Sequence, residues 1–534
     1  MDLPEGFLDD LKQQFQNIKA KSTNNDKEAS EKMMEDSGDG NTKDENLLEN
    51  QFSLIVSKLD KVLSTIKKGS GNYLKVLSMK ASIFYEKAKI ALTNSLFEKS
   101  KEYLEDSLNL IQEYAMENQI TFLHLRIVNY LSYVLSRLGK LEEAKVLLEK
   151  VINADFKSTP TVYSTEDLFS NTQINEIVAK SKVDKLVINN MQMLGWIYGK
   201  MGTNDLYASM QHRCLQKELD LNDGDPIQWA IKCYRLASTL LNNCKWSNAR
   251  YHLTAAQVVL DPLEAELTPN PLLHRAQAEL ARIWVNYGLH LFSVSKKFIM
   301  EKKWNEENEN KNLKTPEVSD VPDDFKFTDL EIHVPSVPIS EVYKIEEAKS
   351  LFLHTHKWLK RARLYYTLRD YPLHYVNIIL ELSELYRLLA FYESDLESQY
   401  DLQKKRFDTL ETLSGVLKEV RPNCYVAVSV ELIREIIEVQ IELMNINLKK
   451  LYNPNIDANM NEEDLKRRME AVGNINSKME NLGRDENQQY TENTGVDVPT
   501  EKTISKVDAC IKSNEPMKEK KVKVRAKFKK FDHS

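Results

Sequence analysis

Glycine and proline are both scarce in this sequence, 15 of each among 534 residues, where average usage is roughly 7% and 5%. Both residues punctuate turns and strands, so their rarity predicts long helices joined by short connections. Cysteine is sparse as well. Cys214, Cys233, Cys244, Cys424 and Cys510 are odd in number and form no Cys-x-x-Cys pair, which argues against a disulfide framework or zinc module and fits a reducing compartment. No run of about 18 uncharged apolar residues occurs, so no membrane span is expected. The opening Met1-Asp2-Leu3-Pro4-Glu5 has no apolar core of the secretory type. Phosphate-cradling Gly-rich loops, the His-Glu-x-x-His helix and the Gly-x-Ser-x-Gly elbow are missing too.

The ionisable residues that remain point away from chemistry. His354 and His356 are two apart and fall on different faces of a helix. His252 and His274 stand alone in the sequence. The pairs Glu142-Glu143 and Glu346-Glu347 read as solvated helix charge. The expectation is a binding protein with no cofactor, no metal and no catalytic residue. The net charge of −7, with a pI near 5.9, argues against nucleic acid as a whole-chain partner and is compatible with a partner that presents a basic surface.

A chain this long needs several domains or an array that grows without thickening. Residues 1–20 read as an amphipathic helix carrying Phe7, Leu8, Leu11, Phe15 and Ile18, and 21–48 as a charged linker, so 1–48 forms an N-terminal segment. From 49 to 294 an internal repeat of tetratricopeptide (TPR) type appears. One copy holds Leu131-Ser132-x-x-Leu135, Gly139, Ala144, Leu148 and Val151. The next holds Leu194-Gly195-x-x-Tyr198. A third holds Leu236-Ala237-x-x-Leu240, Ala249, Leu253, Ala256 and Pro262, and a degraded one holds Phe84, Ala88, Ala91, Ser100, Leu104 and Ser107. Small residues at these points let paired helices approach, and larger ones bury against the next repeat. Residues 295–340, with Pro316, Pro322, Pro335 and Pro338, read as a flexible loop. A C-terminal helical half over 341–484 follows, including one long helix from Tyr375 to Leu413. A basic tail over 485–534 ends in Lys518–Lys530. The fold class is therefore all-α, a right-handed TPR-like superhelix in two halves. Tyr133 and Trp196 fall at equivalent positions on successive A helices, the helices that line the concave face of such an array, and are candidate anchors for a protein partner.

Particular strings are more specific than the repeat. Asp225-Pro226-Ile227-Gln228-Trp229-Ala230-Ile231, Ala249-Arg250-Tyr251-His252-Leu253-Thr254-Ala255-Ala256 and Glu279-Leu280-Ala281-Arg282-Ile283-Trp284-Val285 occur in order. Glu347-Ala348-Lys349-Ser350-Leu351-Phe352, Leu389-Ala390-Phe391-Tyr392-Glu393-Ser394-Asp395-Leu396-Glu397 and Lys404-Lys405-Arg406 follow them. Over roughly residues 50–455 the chain resembles the KIF-binding protein family, and beyond 455 it drifts from that pattern. The resemblance implies a protein that grips kinesin motor domains, covers their microtubule-binding surface, and acts in microtubule organisation, axon outgrowth and organelle transport. It implies a cytoplasmic, cytoskeleton-associated location and kinesin or other cytoskeletal partners. Family contact positions fall here on Met193, Trp196, Glu218 and Arg235, residue types unlike those of the better-known members; with Tyr133 they make up the candidate groove. Pro226 and Trp229 join Ala144, Leu148, Leu194, Gly195, Tyr198, Ala249, Leu253 and Ala256 as expected repeat-packing residues. Two alternatives compete. A TPR co-chaperone clamp for an acidic tail would use Lys232 and Arg235, and is set aside for want of a Lys-x-x-x-Asn pair upstream. A nucleic-acid-associated adaptor would use the basic tail.

Overall fold

The computed structural model describes residues 11, 13, 14, 42–154, 176–265, 270–307, 321–420 and 426–451. Among the described residues there are fourteen α-helices and no strand, and no helix is long and apolar enough to cross a membrane. The chain divides into two compact units, Met1–Ile378 and Ile379–Ser534.

In the first unit, helices pair in chain order. After α1 (Thr42–Thr65), α2 (Gly71–Thr93) pairs with α3 (Phe97–Ile111), and α4 (Asn118–Arg137) with α5 (Leu141–Ile152). The next pairs are α6 (Glu176–Lys200) with α7 (Asn204–Leu221), and α8 (Pro226–Asn242) with α9 (Trp246–Leu260). The last is α10 (Pro271–Glu307) with α11 (Ile345–Tyr365). Each pair then packs on its neighbour: α4 meets α2, α3 and α6, and α8 meets α7 and α10. This succession of nearest-neighbour interfaces is what defines a helical solenoid.

The four copies of the sequence repeat share one turn. Ser95, Gly139, Gly202 and Cys244 all have positive φ. The residue after each donates its N–H back to the helix: Leu96 to the Ala91 carbonyl at 2.8 Å, Lys140 to Leu135 at 2.9 Å, Thr203 to Tyr198 at 3.0 Å and Lys245 to Leu240 at 2.9 Å. That closure satisfies an orphan carbonyl and reverses the chain. The small residues do what the repeat requires. The Ser100 hydroxyl donates to the Ala88 carbonyl at 2.8 Å and that of Ser107 to Ala81 at 2.7 Å, so α2 and α3 meet at backbone distance.

Ala144, Leu148, Leu194, Tyr198, Trp229, Ala249, Leu253 and Ala256 are buried. The Trp229 indole donates to the Leu215 carbonyl at 3.0 Å, and the Tyr198 hydroxyl donates to Glu149 at 2.7 Å. A Cβ on Gly195 would lie 2.8 Å from the Gln211 side-chain amide. Pro226 is a correction: it is exposed at the first position of α8, after Asp225, whose carboxylate accepts the Ile227 N–H at 2.9 Å. Its fixed φ and missing N–H suit a helix start, so it initiates α8 and does not pack.

The flexible loop expected over 295–340 is a second correction. α10 continues to Glu307. Residues 321–344 are an extended strap bound to the solenoid through side chains of α9 and α10. Phe327, Val337 and Val342 are buried. The Phe327 N–H donates to the Tyr251 hydroxyl at 2.8 Å, and Arg250 donates to the Pro335 and Val337 carbonyls at 3.3 and 3.0 Å. The Tyr287 hydroxyl donates to the Pro338 carbonyl at 2.6 Å, and Ser295 Oγ accepts the Val342 N–H at 2.9 Å. Proline removes helical hydrogen bonding but does not prevent burial, because these side chains satisfy the strap's backbone. Residues 308–320 lie outside the described residues.

In the second unit the expected Tyr375–Leu413 helix is two helices. α12 (Pro372–Tyr392), which crosses the unit boundary, ends before α13 (Leu396–Val420), and α14 (Val426–Leu451) follows. Asp395 makes the break, since its carboxylate accepts the Ser398 N–H at 2.9 Å as a helix cap does. Arg406 is fully buried, donates to Ser383 at 2.9 Å and pairs with Glu435 at 2.7 Å. α1 begins at Thr42, inside the expected N-terminal linker. The rest of that linker, residues 452–484 of the expected C-terminal half and the basic tail lie outside the described residues.

Candidate functional site

The first helices of three successive pairs, α4, α6 and α8, each leave one stripe open. On α6 the open stripe is Lys185, Asn189, Gln192, Met193, Trp196 and Lys200, at the spacing of one helical face. On α4 it includes Asn129, Tyr133 and Arg137, and on α8 it includes Gln228, Lys232 and Arg235.

Two concavities lie along these stripes. The first, about 770 Å³, is lined by Tyr133 and Arg137 from α4 and by Met193, Trp196 and Lys200 from α6, with Asn129, Asn189 and Gln192 between. Tyr133 and Trp196 are 39% and 43% exposed, although each is large and apolar. Lys200 sits over the Trp196 ring at 5.4 Å. The second, about 460 Å³, shares Asn189 and Gln192 and adds Lys185, Glu218, Asp223, Trp229 and Lys232. The two adjoin at Asn189 and Gln192, and together they are called the channel across α4, α6 and α8.

Of the five expected groove residues, Tyr133, Met193 and Trp196 come together in the first concavity. Glu218 is placed differently. It belongs to α7, a second helix of its pair, and is engaged, accepting from Lys232 at 2.6 Å and from the Gln192 amide at 3.1 Å. Arg235 is exposed one turn beyond Lys232 and lines neither concavity. The Lys-x-x-x-Asn spacing passed over in the sequence is Lys185 and Asn189, on α6 and in the second concavity. Lys185 pairs there with Asp223 at 2.6 Å and Lys232 with Glu218 at 2.6 Å, so both cations already have carboxylate partners.

Behind the channel, α7 and α9 meet through two buried histidines. His212 Nδ1 lies 3.0 Å from His252 Nε2, and His252 Nδ1 lies 2.7 Å from the Asn248 carbonyl. A carbonyl only accepts, so His252 carries its proton on Nδ1 and His212 donates to its Nε2. Burial pushes the two pKa values down to about 4 and about 3, respectively. Phe325 and Phe327 of the strap pack on the His212 ring at 5.2 and 4.6 Å. No partner for His252 is legible in the sequence, because the contact spans α7, α9 and the strap. His354 and His356 do diverge, the first packing on Trp284 and the second on Phe352. The acidic pairs Glu142-Glu143 and Glu346-Glu347 occupy the first turns of α5 and α11, where the helix dipole favours them.

Residues 227–505, just over half of the chain, match the family model described as KIF-1 binding protein C terminal. The match continues past residue 455, where the sequence pattern was expected to drift. A Bos taurus protein named KIF-binding protein is 24% identical over 436 residues, which cover 74% of this chain and 68% of that protein. The Homo sapiens protein of the same name is 23% identical over 436 residues, with 74% and 68% covered. The Xenopus tropicalis one is 22% identical over 391 residues, with 65% and 61% covered. A solved structure named Kinesin binding protein (KBP) matches at TM-score 0.49 and 15% identity, covering 89% of this chain and 83% of the other.

Proposed function

The chain belongs to the KIF-binding protein family, and from that premise we propose that it is a non-enzymatic adaptor whose channel across α4, α6 and α8 holds a kinesin motor domain. Binding there covers the motor's microtubule-attachment surface and so controls its attachment and motility. Microtubule organisation, axon outgrowth and organelle transport are the processes such control would affect, in the cytoplasm and on the cytoskeleton.

The observation that carries this reading is the exposed pair Tyr133 and Trp196 in one concavity of a family member. Large aromatics left open to water on a rigid helical scaffold are typical energetic anchors of protein interfaces, and a solenoid presents its binding surface on the concave side. The test is microtubule co-sedimentation with purified motor domains from several kinesin classes. Addition of this chain should move at least one motor from the pellet to the supernatant as a stoichiometric complex. If no motor in the panel binds the chain or changes its sedimentation, the reading is wrong.

A further inference from the structure

We propose that the concavity between α4 and α6 receives an acidic segment of the partner, one that seats a large aliphatic side chain on Tyr133, Met193 and Trp196 and sets carboxylates beside Arg137 and Lys200. The proposal rests on the kinesin-motor reading only for which protein carries that segment.

Charge is the first reason. Among the described residues, Arg137 and Lys200 are the only charged residues that line this concavity, and no carboxylate lines it. The chain as a whole carries −7, so a basic segment is the occupant that bulk charge would suggest. Such a segment would have to place its cations against two fixed ones, and like-charge contact is how an interface rejects a partner.

The state of those cations is the second reason. Among the described residues neither Arg137 nor Lys200 is in an ion pair. Each lies over an aromatic ring, Arg137 on Phe97 at 5.5 Å and Lys200 on Trp196 at 5.4 Å. A ring face attracts the charge but accepts none of its N–H groups as a carboxylate would, so hydrogen-bond donors remain for another group. The adjoining concavity provides the contrast, since its Lys185 and Lys232 are neutralised by Asp223 and Glu218. Positive potential is therefore concentrated beside the two exposed aromatics, in a concave site where field lines focus. Asn129, Asn189 and Gln192 line the site as well and offer both donors and acceptors to a backbone.

The experiment uses two fluorescein-labelled peptides, one with leucines flanked by Asp and Glu and one with Lys at every acidic position. Fluorescence anisotropy reads their binding to the full chain and to the Arg137→Glu/Lys200→Glu variant, whose helical circular dichroism confirms that it folds. The wild type should bind the acidic peptide about 10-fold or more tightly than the basic one, the more so at low salt. The variant should invert that order. Equal binding, a preference for the Lys peptide, or an unchanged order in the variant overturns the proposal. A pull-down with a motor domain runs in parallel. Equal capture of that motor by wild type and variant overturns the acidic-segment proposal and leaves the kinesin reading standing. Retained acidic preference without capture of any motor overturns the kinesin reading and leaves the chemistry of the concavity standing.

Discussion

The backbone N–H of Phe327 donates to the hydroxyl of Tyr251, 2.8 Å away and 76 positions earlier in the chain. That bond fixes the strap where its ring enters the cluster of His212, Trp229 and His252. Limited proteolysis should therefore spare 325–342, prolines and polar residues notwithstanding. Phe327→Ala removes a buried aromatic, a change that typically costs about 3–5 kcal/mol. Hydrogen exchange should then rise in the strap's amides well before it rises in α8. Early cleavage within 325–342 of the wild type would show that the strap is not docked.

Gly288 and Thr355 set the approach of α10 to α11. A Cβ on Gly288 would lie 1.8 Å from Thr355 Oγ1 and under 3 Å from two further atoms of that side chain. Thr355 is buried and its hydroxyl donates to the Leu351 carbonyl at 2.8 Å, so it has little room to yield. Gly288→Ala should destabilise by about 3 kcal/mol, and adding Thr355→Ala should recover part of the loss, read as a coupling energy in urea unfolding. Gly195→Ala clashes only with the end of the Gln211 side chain, its contact with Met210 being an ordinary 3.6 Å, and should cost far less. Equal effects at the two glycines would contradict this packing.

His212 and His252 tie stability to pH. Burial lowers their folded-state values to about 4 and about 3, from an unfolded value near 6.5. In that interval the unfolded chain binds more protons than the folded one, so stability rises with pH. The contribution is complete above about 6.5 and is lost as pH falls toward 4. Thermal unfolding followed from pH 7 to pH 4.5 should show a falling midpoint, and His212→Asn should flatten that slope. A midpoint independent of pH across this range would refute the neutral pair.

Trp196→Ala should weaken capture of a motor domain by roughly 1–3 kcal/mol while leaving the unfolding midpoint almost unchanged, because the indole is already 43% exposed. Titration calorimetry and thermal unfolding of the same preparation separate the two effects. A large loss of stability with unaltered binding would mean that Trp196 supports the repeat and does not anchor a partner.

Helix pairing was legible in the sequence because it is local. Scarce glycine, small residues at crossing points and the Leu-Gly-x-x-Tyr string all act within one hairpin, so Ala144, Leu194 and Ala249 could be placed before any coordinates. The equivalent repeat positions of Tyr133 and Trp196 were legible in the same way, whereas their exposure was decided by the tertiary packing. What the tertiary structure alone decided spans elements far apart in the chain: the docking of Phe327 on Tyr251, the partner of His252, the closeness of Gly288 to Thr355, and which cations of the channel are already paired. Periodicity reports which face of a helix is apolar. It does not report which side chain from another helix reaches that face, and that contact determines whether Glu218 is a free charge or the partner of Lys232.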